Sequence, residues 1–201
     1  MQQLIIVGDK FLSKKLPQDR DTRMSTIKIH NKEFRKSITN KEIEEKVASV
    51  AARISHDYKG KCPILLAVLN GSFMFVADLM KKLDLECEIS FIKLSSYSGV
   101  NSTGKVNEII GLNESLEGRD VIIVEDIVDT GLTMQKLLET LKDKNPASLE
   151  IASLFIKPQK LKVPIDIKYS AFTIGDRFIV GYGLDYDGLG RNLPDIYDAV
   201  E

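Results

Sequence analysis

The chain has few cysteines, no tryptophan and no excess of either charge. Its 201 residues include 28 Lys+Arg and 29 Asp+Glu, which gives a formal net charge of −1. This balance argues against strong non-specific nucleic-acid binding, which needs a basic excess, so we expect no nucleic-acid partner. The two cysteines, Cys62 and Cys87, are too few for a disulfide-stapled secreted scaffold and are interpreted as buried, reduced thiols.

Long apolar runs are also missing from the sequence. No run approaches the roughly 20 residues that a helix needs to cross a bilayer. The apolar residues 4–7 are too few for a signal peptide, and the acidic residues that follow do not fit a mitochondrial presequence. We therefore expect a cytoplasmic protein with no membrane partner.

Alternating strand and helix patterns organise the chain after residue 24. Residues 1–24 show no lasting periodicity and are predicted to be a loose N-terminal extension, which leaves one domain over residues 25–201. The continuous apolar runs at residues 64–69 and 121–124 are typical of strands that are buried on both faces of a parallel sheet. The sequence thus predicts an α/β fold with a mostly parallel, twisted sheet flanked by helices.

The most informative stretch begins with the second of these predicted strands. Glu125 and Asp126 follow the apolar run, at the sheet edge where α/β proteins bind ligands. Next, the five residues Asp129-Thr130-Gly131-Leu132-Thr133 open a helix whose free amides form an anion site. This stretch places acceptors for hydroxyl groups beside donors for a phosphate. The combination favours a sugar-phosphate site over an ordinary strand–turn–helix without a ligand. The Walker A and dinucleotide-binding patterns are absent.

This stretch resembles the phosphoribosyl-diphosphate (PRPP) signature of type I phosphoribosyltransferases, and other segments agree in the same order. The segment Leu69-Asn70-Gly71-Ser72 resembles the pyrophosphate loop of the family, and Ser96-Tyr97 resembles its closing lid. Lys157, Phe178 to Tyr186 and Arg191 resemble the purine-binding end of the hypoxanthine (hypoxanthine-guanine) phosphoribosyltransferases, the purine branch of that family. The resemblance runs from about residue 26 to residue 197 and implies a small hood formed by the N- and C-terminal segments.

The family resemblance implies an enzyme of purine salvage. Such an enzyme is a Mg²⁺-dependent glycosyltransferase that converts hypoxanthine and/or guanine plus PRPP to IMP or GMP plus pyrophosphate. A homodimer or homotetramer is expected on the same basis.

Roles for individual residues also follow from the resemblance. It implies that Asp129 takes the proton from purine N7. Glu125 and Asp126 would hold the ribose hydroxyls and help to hold the metal. The 5′-phosphate would lie on Thr130, Gly131, Leu132 and Thr133, and the pyrophosphate would lie on Asn70, Gly71 and Arg191.

At the purine end, the resemblance implies four contacts. Lys157 would donate to the 6-oxo group, Phe178 would stack on the ring, and the backbone of Ile179 would meet the base edge. Asp185 would lie beside the base and hold magnesium, partly through water.

Two positions depart from the family pattern. Asn70 and Leu132 stand where relatives often carry basic residues, and Lys160 is a candidate for the missing basic contact to pyrophosphate.

A PRPP- or nucleotide-sensing regulator on the same fold is one alternative function, although Lys157 and Phe178 are retained and the net charge is −1. A phosphoacceptor receiver domain is another, but the Thr-Gly-Leu-Thr turn does not fit it.

Overall fold

The computed structural model describes residues 25–95 and 108–200. The predicted N-terminal extension at residues 1–24 lies outside the described residues, as do Ser96 and Tyr97 of the predicted lid.

The main sheet has six strands in the described part of the chain. These are β3 (Ile64–Leu69), β4 (Glu88–Ser95), β5 (Glu108–Ile110), β6 (Asp120–Val128), β7 (Ser148–Ile156) and β8 (Tyr169–Thr173). Their spatial order is β5-β4-β3-β6-β7-β8. All neighbours are parallel except β5, which pairs antiparallel with β4. The prediction of a mostly parallel sheet is confirmed.

Helices cover both faces of this sheet, which is why β3 and the first half of β6 after Asp120 are apolar on both faces. Helices α1 (Asn40–Asp57) and α2 (Phe73–Lys82) pack against one face, and α3 (Leu132–Lys142) packs against the other. Along β3, Leu65 and Ala67 face α1 and α2, whereas Ile64 and Leu66 face α3. No helix within residues 25–95 and 108–200 is both long and apolar enough to cross a membrane.

A second, smaller sheet forms the predicted hood. It contains β1 (Thr26–Ile29), β2 (Lys32–Ile38), β9 (Ile179–Val180) and β10 (Ile196–Ala199), in the antiparallel order β1-β2-β10-β9. Its own core consists of Ile29, Phe34, Val180 and Tyr197, while Ile179, Tyr182, Leu184 and Ile196 belong to the main core. The N- and C-terminal segments of the described chain therefore meet in one sheet that is anchored in the main core.

The cysteines differ from the prediction in their burial. Both are free thiols, but Cys62 is exposed and Cys87 is only partly buried. Each precedes a strand of the main sheet, β3 or β4, at its amino end, where the chain has not yet entered the core. The interpretation of Cys62 as buried is wrong for this reason.

Candidate active site

Three neighbouring parallel strands bring the predicted site residues to one edge of the main sheet. Asn70 and Gly71 follow β3, Asp129 follows β6, and Lys157 follows β7. The amide of Lys157 donates a hydrogen bond of 3.1 Å to the carbonyl of Val128. Asp129 and Lys157 therefore leave the sheet side by side, although they are far apart in sequence.

Glu125 and Asp126 lie within β6 rather than after it, because β6 extends to Val128 beyond the predicted apolar run. Burial, and then the charge of Asp126, raise the pKa of Glu125 well above its usual value. Burial also raises the pKa of Asp126, although the amide of Ile127 donates to its Oδ1 at 2.9 Å. A Cβ at Gly71 would lie 1.5 Å from Asp126 Oδ2, so the backbone of the predicted pyrophosphate loop rests directly on this carboxylate.

The hood reaches the same loop through a second glycine. Gly183 has a φ of +101°, and a Cβ there would lie 2.1 Å from the carbonyl oxygen of Gly71. Arg191 donates from Nη1 to the carbonyl of Gly183 at 2.7 Å, and its Nη2 lies 2.5 Å from Asp185 Oδ1. The structure thus gathers Gly71, Asp126, Asp185 and Arg191 at the junction of hood and main sheet, and Asn70 is exposed beside them.

The predicted phosphate site lies at the N-terminus of α3. Gly131 caps this helix in the left-handed conformation, with a φ of +78°, and the amides of the first helical turn have no acceptor within the helix. A cavity of about 170 Å³ opens here, lined by Glu125, Asp129, Thr130, Gly131 and Thr133, among others. Leu132 is exposed rather than part of this lining. The geometry provides amide and hydroxyl donors around a space next to the acidic residues of β6.

Four charged side chains form a closed ring at the other side of the site. The Nζ of buried Lys157 lies 3.9 Å from both Asp129 Oδ2 and Asp176 Oδ1. The Nζ of Lys160 lies 3.6 Å from Asp129 Oδ1 and 2.9 Å from Asp176 Oδ1. Among the described residues, Asp129 Oδ1 is a buried oxygen without a hydrogen-bond partner. Asp129 and Lys157 are thus neighbours, as their predicted roles at N7 and O6 of one base require.

Asp176 and the true position of Lys160 escaped the sequence analysis. Lys160 contacts Asp129 and Asp176, beside Lys157, and not the Gly71–Arg191 junction where pyrophosphate is expected. The spacing of Lys157 and Lys160 is the signal that could have placed Lys160. The two residues are three positions apart across the 3₁₀ helix Pro158–Lys160, and side chains at this spacing lie on the same side of such a helix. Asp176 stands only two residues before Phe178.

Phe178 and Ile179 lie on the hood next to this ring of charges. The side chain of Phe178 is 45% exposed, and its ring centroid lies 6.1 Å from that of Phe34 and 5.7 Å from that of Tyr186. The Nζ of Lys32 lies 5.2 Å from the Phe178 ring. Phe178 is therefore held by other aromatic rings but keeps surface for a ligand, whereas Ile179 is buried and offers only its backbone.

The acidic residues fit a magnesium ion that is carried largely by substrate. Within the described residues, no three His, Cys, Asp or Glu side chains gather closely enough to hold a metal. Burial raises the pKa values of Glu125 and Asp126, which a cation would counter, and Asp185 lies near the same junction. Magnesium commonly takes one or two carboxylates and completes its shell with phosphate oxygens and water.

Comparisons with known proteins agree with this geometry. Residues 35–187 match the phosphoribosyl transferase domain family. The hypoxanthine-guanine phosphoribosyltransferase of Staphylococcus aureus (strain Mu50) is 41% identical over 169 residues, which cover 84% of this chain and 94% of that protein. A crystal structure of a hypoxanthine-guanine phosphoribosyltransferase from Bacillus anthracis, with HEPES in the active site, superposes with a TM-score of 0.75. It is 38% identical in sequence, and the match covers 82% of this chain and 98% of that one.

This chain belongs to the phosphoribosyltransferase family. The hypoxanthine phosphoribosyltransferase of Trypanosoma cruzi, at 36% identity, also superposes on it, with a TM-score of 0.76 over 87% of this chain and 95% of that one. Together these relatives place the chain in the hypoxanthine-guanine branch, among enzymes of purine salvage. The predicted family, fold class and enzymatic nature are confirmed.

Proposed function

We propose that this protein transfers the phosphoribosyl group of PRPP to hypoxanthine or guanine, forming IMP or GMP and releasing pyrophosphate. The observation that carries the proposal is the pairing of Asp129 with Lys157 next to the N-terminus of α3. A 6-oxopurine needs an acceptor at N7–H and a donor at O6, and these two side chains supply them from adjacent strands.

The purine end would act through both recognition and proton transfer. The Asp129 carboxylate, whose contacts with Lys157 and Lys160 are longer than hydrogen bonds, would take the N7 proton as the glycosidic bond forms at N9. The ammonium of Lys157 would donate to O6, and a 6-amino group would leave this buried donor unpaired. Phe178 would stack on the base, and the backbone of Ile179 would meet its edge.

The sugar and phosphate groups would lie along β6 and α3. The first-turn amides of α3, with Thr130 and Thr133, would hold the 5′-phosphate. Glu125 and Asp126 would accept hydrogen bonds from the ribose hydroxyls and favour the positive charge that develops on the sugar. Gly71 and Arg191, with Asn70, would hold the leaving pyrophosphate.

We also propose that Mg²⁺ serves as cofactor, held by Asp185 and by the pair Glu125 and Asp126, in part through water. When bound, magnesium would offset the negative charge of the pyrophosphate group. A homodimer or homotetramer in the cytoplasm is proposed as the working form. Light scattering of the purified protein, which gives the molar mass in solution, tests the oligomeric state.

The decisive experiment combines purified protein, PRPP and Mg²⁺ with hypoxanthine, guanine, xanthine or adenine in separate reactions. We expect IMP or GMP together with equimolar pyrophosphate, and no AMP. PRPP binding without formation of any nucleotide would instead favour the regulatory alternative, which finds no support among the relatives compared above. Formation of AMP in preference to IMP and GMP would contradict the assignment of Lys157.

A further inference from the structure

The charge ring formed by Asp129, Lys157, Asp176 and Lys160 is closed but uneven. Each side chain has an oppositely charged neighbour on both sides, so the ring carries no net charge. Only the contact between Lys160 and Asp176, at 2.9 Å, has hydrogen-bond length. The other three contacts measure 3.6 to 3.9 Å. The ring therefore consists of one fixed pair, Lys160 with Asp176, and one open pair, Asp129 with Lys157.

Exposure differs among the four side chains of the ring, and Asp176 is the most exposed of them. The Asp176 side chain is 62% exposed, whereas the Lys157 side chain is 8% exposed. The hydrogen bond between Asp176 and Lys160 lowers the pKa of the aspartate and raises the pKa of the lysine, so both remain charged near neutral pH. Asp176 thus lies at the rim of the site and Lys157 in its interior, whereas Asp129 and Lys160 are both partly exposed.

The position of Lys157 indicates how the fixed pair, Lys160 with Asp176, affects the open pair. Its Nζ lies equally far from Asp129 and Asp176, at 3.9 Å from each carboxylate. Without Asp176, both lysines of the ring would have Asp129 as their remaining carboxylate, and a tight ion pair would occupy the oxygen that must receive the N7 proton. Without Lys160, Asp129 would lose a neighbouring positive charge, and Lys157 would be drawn to one carboxylate or the other.

We propose that Lys160 and Asp176 are positioning residues that keep Asp129 and Lys157 apart and ready for a 6-oxopurine. This inference rests on the proposed function, because it assigns the open pair to N7 and O6. It adds two residues that touch neither PRPP nor the reacting atoms, and it explains why a basic residue at position 160 lies on the purine side of the site.

The test measures steady-state kinetics for Lys160→Met and Asp176→Asn. We expect kcat/KM for hypoxanthine to fall about tenfold in each variant, the size of one charge-assisted hydrogen bond, with KM for PRPP within about twofold of wild type. Lys160→Arg, which keeps the charge, should restore most of the loss. The double variant should lose little more than either single variant, because both remove the same pair.

The matched control is Lys162→Met, which changes an exposed lysine two residues away and should leave both parameters unchanged. A second readout is the affinity for GMP and for ribose 5-phosphate, measured by calorimetry. The variants should weaken GMP binding and leave ribose 5-phosphate binding unaltered, because only GMP carries N7 and O6.

The outcomes separate the two proposals. An active wild type whose kcat/KM for hypoxanthine is unchanged in both variants would overturn the positioning roles and leave the function intact. An inactive wild type that shows the expected loss of GMP affinity in the variants would overturn the function and support the positioning roles. Equal losses for GMP and ribose 5-phosphate would indicate general disruption of the site and would also overturn the positioning roles.

Discussion

Strand β6 carries carboxyl side chains near both ends, but their pKa values are lowered at the amino end and raised at the carboxyl end. At the amino end, Asp120 accepts hydrogen bonds from Lys61 at 3.0 Å and from the hydroxyl of Ser148 at 2.5 Å. Burial pushes the pKa of Asp120 upward, but these two hydrogen bonds outweigh it and the pKa is lowered. At the carboxyl end, burial raises the pKa values of Glu125 and Asp126, and Asp129 Oδ1 has no hydrogen-bond partner among the described residues, although two lysines lie 3.6 and 3.9 Å from its carboxylate.

The difference separates an acid whose hydrogen bonds stabilise the fold from acids that are available to bind a ligand. Buried polar groups in proteins are normally paired, so an unpaired group at a sheet edge needs an explanation. At the amino end, the protein supplies every partner itself. At the carboxyl end, Asp129 Oδ1 lacks a hydrogen bond within the described part of the chain, and the proposed function assigns the ribose hydroxyls and the N7–H of a purine to these acids.

The sharpest way to test the open end is Asp129→Asn. The amide keeps the shape of the side chain but cannot take the N7 proton, so turnover should fall about 10²-fold or more. PRPP affinity should stay close to that of wild type, since the proposed function places Asp129 at the base. Single-turnover kinetics with hypoxanthine would check this, and unchanged turnover with chemistry rate-limiting would remove Asp129 from the role of base.

Lys157→Ala should have the next largest effect. Loss of a charged donor to O6 should lower kcat/KM for hypoxanthine and guanine about 10- to 100-fold, with little change in KM for PRPP. Initial rates at varied base and varied PRPP separate the two parameters. Full activity with both bases in the variant would show that another group recognises O6.

Asp120→Asn tests the paired end of the strand. Because the aspartate accepts from both Lys61 and Ser148, the variant should lower the free energy of unfolding by about 1–2 kcal/mol. Its kcat should match that of wild type, because the residue lies at the opposite edge of the sheet. Urea unfolding followed by circular dichroism measures the first quantity, and a loss of kcat without loss of stability would contradict the contrast between the two ends.

Glu125→Gln should have the smallest effect of the four variants. Unlike Asp120→Asn, it should raise the free energy of unfolding. A carboxyl whose pKa is raised by folding binds its proton more tightly in the folded state, so its contribution to stability is full below the unfolded pKa. That contribution is lost as the pH rises through the folded pKa. The variant should therefore be more stable than wild type at pH 8, with a smaller difference at pH 5, while its PRPP affinity falls. Urea titrations at the two pH values without ligand check this, and a variant that is less stable at pH 8 would contradict it.

Much of the main sheet and of its candidate site edge could be predicted from sequence, because their signals are local. The apolar runs of β3 and β6 depend only on neighbouring residues, and so does the capping box that Thr39 and Glu42 form at the start of α1. The same holds for the anion site, whose residues are consecutive.

Features that depend on distant pairing could not be predicted in this way. Strand β2 has a single fully buried side chain, Phe34, among charged neighbours, so its pattern is weak until β1 and β10 pair with it. The charge ring joins segments from β6, β7 and the approach to the hood. No spacing in the sequence reveals that Asp176 and Asp129 share two lysines, since the contact arises only when the sheet and hood assemble.

The burial of hood residues in the main core has a consequence for protein engineering. Ile179, Tyr182, Leu184 and Ile196 pack among the side chains of α1 and α2, and the hydroxyl of Tyr182 donates to Asp78 on α2 at 2.6 Å. The segment that carries Phe178 is thus also a structural part of the domain. Grafting this segment from a relative with a different base preference would transplant core residues along with it. A successful chimera would have to exchange the matching surface of α2 at the same time.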